Sequence, residues 1–154
     1  NENKGPKIKR FHGRSWIPIL EKNNPEGWDN IGASHTFHEI QMYYPMRVIR
    51  DRNYKLIWNI AYPLPFPFAS DLWIAPSWQA QFKQGLDAKY GQKTVKNYIH
   101  REEFEFFDIK NDPNETSNLS SNPKYGDLLN EYKKKLKAMQ KSTNDPWIVK
   151  WSYE

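Results

Sequence analysis

The 154-residue chain contains no cysteine, which excludes disulfides and thiolate metal sites. No apolar run approaches the roughly 20 residues that a membrane-spanning helix needs, and the first residues carry no signal-peptide pattern. If the parent protein is exported, its signal is expected upstream of Asn1. Glycine is sparse, at seven residues, and none belongs to a phosphate-cradling loop. No Ser occupies a Gly-Xaa-Ser-Xaa-Gly elbow. There is no internal repeat and no recognisable nucleic-acid module. What the chain does have is rings: seven Trp, nine Tyr and eight Phe, 16% of all residues, in a polar background with a mean hydropathy of -0.95. That combination implies one small, ring-rich core with some rings left on a working surface. The length suits one domain. Residues 1–12 read as a linker or entry segment and residues 13–154 as a single domain.

The formal charge is +5, which favours anionic partners, but the lysines are dispersed. The one dense run, Lys133-Lys134-Lys135, falls on an expected helix and reads as its solvated face.

The strand pattern begins after a loop-like stretch, Asn23 to Asn30, and runs from Ile31 through His35-Thr36-Phe37-His38-Glu39 to Tyr44. Pro45 interrupts it, which marks an edge or a bend rather than a central strand. Met46–Arg50 and Tyr54–Ile60 flank Asp51-Arg52-Asn53 and read as a hairpin. Arg47 and Ile49 share one face of it, and Met46 and Val48 share the other. Tyr62 to Phe68 alternates Pro with apolar residues and should cross as a stiff extended loop. Trp78, Phe82 and Leu86 have helical spacing behind Pro76, while Thr94 to Arg101 reads equally as helix or loop. Phe104 to Ile109 is a strand that stops at Asn111-Asp112-Pro113-Asn114, with Glu102, Glu103 and Glu105 expected to face solvent. A final helix is expected over roughly Pro123 to Gln140, with Asn122 as N-cap, Pro123 at N1, and an apolar stripe of Leu128, Leu129, Tyr132, Leu136 and Met139. Asn144-Asp145-Pro146-Trp147 should end it and turn the tail away. Two sequons, at Asn114 and Asn118, matter only in a eukaryotic secretory pathway. These strands and the final helix read as α+β, a sheet with a C-terminal amphipathic helix packed on it.

His35, His38 and Glu39 are the densest group of side chains able to do chemistry. Their order does not match a helical metal motif, and on a strand residues three apart point to opposite faces, so both imidazoles should not close on one ion. They read either as a polar sheet edge or as a cleft wall, with His38 and Glu39 bonding sugar hydroxyls and Arg47 pairing an anionic group. No catalytic nucleophile and no metal ligand set stand out.

The words of the sequence also carry a resemblance. Glu105, Asp108, Asp112, Pro113, Glu115, Asn118 and Leu119 fall in register with the strand and turn near the C-terminus of the sulfatases. Gly13-Arg14-Ser15-Trp16-Ile17-Pro18-Ile19-Leu20 resembles the segment leading into that region. His38-Glu39 followed by Tyr43-Tyr44-Pro45-Met46-Arg47, with Pro65-Phe66-Pro67-Phe68 and Asp145-Pro146-Trp147, is similar to the heparan N-sulfatase (N-sulfoglucosamine sulfohydrolase) branch of the family. The resemblance covers about Gly13 to Trp147.

It implies the sulfatase C-terminal type of α+β fold, a small antiparallel sheet of about four strands with a C-terminal amphipathic helix packed on it, and a non-catalytic C-terminal domain whose parent removes the sulfamate from glucosamine of heparan sulfate, a sulfated glycosaminoglycan. It implies as partner an N-terminal catalytic domain that holds calcium and a formylglycine. It also implies an exported compartment: periplasmic or secreted in a bacterium, lysosomal in an animal. His38, Glu39 and Arg47 would then belong to the substrate pocket. The formylglycine motif, Cys or Ser then Xaa-Pro-Xaa-Arg, is missing here, so this stretch alone should not hydrolyse sulfate or sulfamate, and no cofactor is expected in it. The alternative is a free-standing carbohydrate- or polyanion-binding module.

Overall fold

The computed structural model describes residues 13–39 and 42–153; the expected linker at residues 1–12 lies outside them. Four strands form one antiparallel sheet: β1 (Ile31–His38), β2 (Met42–Arg50), β3 (Tyr54–Asn59) and, after a long excursion, β6 (Phe104–Asp108), in the order β1-β2-β3-β6. The excursion holds α1 (Ser70–Ile74), α2 (Pro76–Phe82), the two-residue pair β4 (Lys89–Tyr90) and β5 (Lys93–Thr94), and α3 (Val95–Ile99). The chain then closes with α4 (Gly126–Ser142) and a 3-10 segment, Pro146–Ser152.

The hairpin of β2 and β3 forms where expected because Asp51 closes its turn. Its carboxylate accepts the backbone N–H groups of Asn53 and Tyr54, each at 2.8 Å, an Asx-type closure that needs no glycine. Alternation then sorts the side chains. Ile49, Leu56, Trp58 and Phe106 lie on one face, where Leu129, Tyr132 and Leu136 of α4 cover them. Burying each large apolar side chain contributes roughly 1.5–3 kcal/mol, so this helix-on-sheet layer is the main source of stability. The helix forms but starts later than expected: Asn122 caps a 3-10 turn, Pro123–Tyr125, accepting the Lys124 N–H at 3.1 Å, and α4 follows from Gly126 with no side-chain cap of its own. The opposite face receives the excursion, whose own ring cluster is centred on the fully buried Trp78. Phe68, Phe82, Tyr90 and Tyr98 surround it, and Phe66 joins it to the sheet edge-on to Tyr44 at 5.1 Å.

Four local readings differ from the structure. The run from Ile31 to Tyr44 is two strands that reverse after Glu39, not one. β2 is an interior strand despite Pro45, whose effect is confined to a slip in the β1 pairing. α2 ends at Phe82, so Leu86 lies beyond it and is 46% exposed. The tail does not turn away: Trp147 and Trp151 pack back against the core, and the Trp151 indole donates to Gln140 Oε1 at 2.6 Å. Thr94 to Arg101 resolves into α3, capped by the Thr94 hydroxyl, which accepts the Asn97 N–H.

The stretch after β6 is latched rather than merely turned. Asp112 accepts the backbone N–H groups of Thr116 and Ser117 and the Thr116 hydroxyl. Asn118 then takes the place of a neighbouring strand, accepting the Phe106 N–H at 2.8 Å and donating to the Phe104 carbonyl at 3.0 Å.

Candidate functional site

The end of the sheet near the β1–β2 reversal gathers the residues singled out from the sequence. Pro45 cannot donate to the ladder, and the pairing shifts there. His35 faces Met46 but Phe37 faces Tyr43, so two residues of β1 span three of β2. Such a bulge bends and twists the strand locally. As a result His35 and His38, three residues apart, both border the same cleft of about 280 Å³, together with Phe66, Phe68, Leu72 and Tyr98. The expectation that they part to opposite faces does not hold at this slip. His35 Nδ1 lies 3.1 Å from the Tyr44 carbonyl oxygen. A carbonyl only accepts, so Nδ1 carries the proton and Nε2 is left as an acceptor. The Tyr44 ring is buried, and burial pushes its phenol up to about 12.

Glu39 stands at the reversal itself, exposed, with φ of 56°. That left-handed conformation is uncommon for a residue with a Cβ, and it holds the Glu39 side chain at the rim of the sheet end. Arg47 is placed differently. It lies on the α4 side of the sheet and is 4% exposed. Its Nε and Nη2 bind the two oxygens of Asp145, and its Nη1 donates to the carbonyls of His35 (3.0 Å) and Met46 (2.8 Å). Four of its five N–H groups are thereby committed. Asp145 also accepts from Gln140 Nε2 and from the Trp147 N–H. Burial alone would raise its carboxyl; the hydrogen bonds from Arg47, Trp147 and Gln140 outweigh that and hold it below the usual carboxylate range. His38 and Glu39 are thus together at the open end, while Arg47 braces the strand beneath them through the His35 carbonyl.

Sequence reasoning missed a second polar group. Glu105 does not face solvent: it is 7% exposed, accepts Asn59 Nδ2 at 2.9 Å and lies 3.7 Å from Arg101. Arg101 stacks its guanidinium 3.9 Å from the Phe66 ring centre. The signal was alternation, since Glu105 shares a face with Phe107 opposite Phe106. Among the described residues no three His, Cys, Asp or Glu side chains come together to hold a metal ion. The chain has no Cys or Ser followed by Xaa-Pro-Xaa-Arg, the formylglycine setting.

Comparison with known proteins agrees with the resemblance. No family model matches the chain. It is 32% identical over 149 residues to the N-sulphoglucosamine sulphohydrolase of Homo sapiens, covering 94% of this chain and 29% of that protein. It is 29% identical over 135 residues to an ulvan-active sulfatase of Formosa agariphila, covering 86% of this chain and 25% of that one. Among solved structures, a 2-O GAG sulfatase aligns with a TM-score of 0.56 at 18% identity, over 88% of this chain and 21% of that chain. A second, solved with its substrate D-glucosamine-2-N,6-O-disulfate, aligns with a TM-score of 0.53 at 20% identity, over 87% of this chain and 21% of that chain. The chain thus spans under a third of the length of these proteins. By sequence and by fold it resembles part of a sulfatase, in keeping with a C-terminal domain. No described helix is long and apolar enough to cross a membrane.

Proposed function

We propose that this chain is the non-catalytic C-terminal portion of a sulfatase whose full-length parent removes N-sulfate from the glucosamine of heparan sulfate. The observation that carries the reading is the likeness to the human sulphohydrolase along 94% of this chain but 29% of that protein. The site geometry supports it: His38 and Glu39 stand at an open sheet end beside a cleft with aromatic walls, a surface suited to the polar and apolar faces of a sugar. In this reading His38 and Glu39 bond sugar hydroxyls, and Arg47 serves the wall by fixing the strand they stand on. The α/β portion of the parent supplies calcium, the formylglycine and the hydrolytic step, and these residues alone do not desulfate. The parent works in an exported compartment, periplasmic or secreted in a bacterium and lysosomal in an animal.

Glu39→Ala in the full-length parent tests this. Its exposed side chain makes loss of folding unnecessary, so turnover of an N-sulfated glucosamine substrate is expected to fall about tenfold or more, the scale of one charge-assisted hydrogen bond, with the melting temperature kept. An unchanged rate would sink the assignment.

A further inference from the structure

Residues 13–30 hold three large apolar side chains out in water. Trp16, Ile17 and Leu20 are 71%, 78% and 72% exposed, although the backbone that carries them is ordered by its own bonds. A 3-10 turn spans Ile17–Ile19, with Ile19 N–H to the Trp16 carbonyl at 2.8 Å and Lys22 N–H to the Ile19 carbonyl at 3.0 Å. Arg14 closes the loop, donating to the Gly27 carbonyl and lying 3.7 Å from the Trp28 ring centre. Gly27 takes a φ of 72°, a left-handed conformation that glycine adopts without the penalty a Cβ would bring. Among the described residues, the hydrogen bonds of this loop stay within it, and none of its side chains joins the helix-on-sheet core. Three adjacent large hydrophobes on a self-closed loop form a patch of the kind that marks a contact surface.

We infer that this loop is an anchor which docks Trp16, Ile17 and Leu20 into an apolar groove on the α/β portion of the same sulfatase, fixing the sheet end that bears His38 and Glu39 against that portion. The inference rests on the functional reading above. The occupant is argued from length: the chain matches 29% and 25% of its two curated relatives, so in the functional reading above most of the parent is further polypeptide joined to this one. The loop runs directly into β1 at Ile31, itself 69% exposed, so docking it sets the position of the strand that carries His38.

The test uses the full-length parent. Ile17→Asp with Leu20→Asp is expected to raise the rate of trypsin cleavage at Arg14 and Lys22 at least tenfold, and Leu20→Ala alone to raise it in the same direction if the double variant does not fold. Tyr153→Asp, an equally exposed ring elsewhere (80%), is expected to leave it unchanged. Unaltered cleavage in the loop variants, or equal opening in the Tyr153 variant, would overturn the anchor. Desulfation of N-sulfated glucosamine by the unaltered parent separates the two ideas. An inactive parent defeats the functional reading, whereas an active parent with an indifferent loop defeats the anchor alone.

Discussion

Four donors converge on the carboxylate of Asp145: two from Arg47, one from Gln140 and one from the Trp147 backbone. The Arg47 and Asp145 side chains are only 5% and 8% exposed, so neither charge has water to fall back on. Removing one partner of such a pair strands the other and costs about 3–5 kcal/mol. Asp145→Ala is expected to lose stability of that order in chemical denaturation, and Arg47→Leu added to it should recover part of the loss by discarding the orphaned cation. Recovery would be absent if Asp145 mattered only as a helix stop. The sequence told which face Arg47 shares, with Ile49, but not its partner, because a pairing across 98 positions leaves no local pattern. Glu105 was hidden for a similar reason: its neighbours Glu102 and Glu103 made a charged run look solvated, and its bond to Asn59 comes from another strand.

At the scale of elements, Met139 of α4 reaches over β1 at Gly32. A Cβ at Gly32 would meet the Met139 sulfur, the far end of a flexible side chain that can swing aside, so Gly32→Ala is expected to cost at most about 1 kcal/mol, the low end of what overfilling a packed core costs. The cost should shrink further in a Met139→Ala background, which a double-mutant cycle would register as coupling. The elements themselves were largely readable. The β2–β3 hairpin, the strand before Asp112 and α4, with the Asn122-capped turn that leads into it, are specified by residues adjacent in sequence, and all three form. The reversal after Glu39 was not readable, because it uses no Gly or Pro; Glu39 takes the left-handed conformation instead. Pro45 misled in the opposite direction, since a bulge lets an interior strand absorb the missing N–H. The likeness of the site's two His residues to a metal pair was dismissed on regular alternation, which the same bulge breaks.

For the whole molecule, the acidic side chains set the response to pH. Asp51, Asp112 and Asp145 are all held below the ordinary value. At Asp51 burial opposes the shift and the Tyr132 hydroxyl, with the Tyr54 and Asn53 N–H groups, overrides it; at Asp112 the Ser117 N–H leads. Carboxyls with depressed values in the folded state bind more protons when unfolded. Their stabilisation is complete above the unfolded value of about 3.9 and is lost as pH falls through the folded values. The denaturation midpoint is therefore expected to be level from pH 8 to 5 and to decline below about pH 4; a midpoint that rose on acidification would contradict this. The overall α+β layout was legible because one apolar stripe on one helix needs one sheet to cover. In the long excursion between β3 and β6 only α2 was legible, from the spacing of Trp78 and Phe82; how its short pieces gather Phe68, Tyr90 and Tyr98 around Trp78 was not, since those contacts join separate pieces.

The brace between Arg47 and Asp145 also dictates when the molecule can finish forming. A ribosome makes β2 long before it makes Asp145, so for nearly a hundred elongation steps the nascent sheet carries a cation with no mate and a face with no lid. Completion has to wait until the segment bearing Asp145 leaves the exit tunnel, and a message cut short ahead of the Asp145 codon would release a chain whose charge can only stay wet by keeping the sheet open.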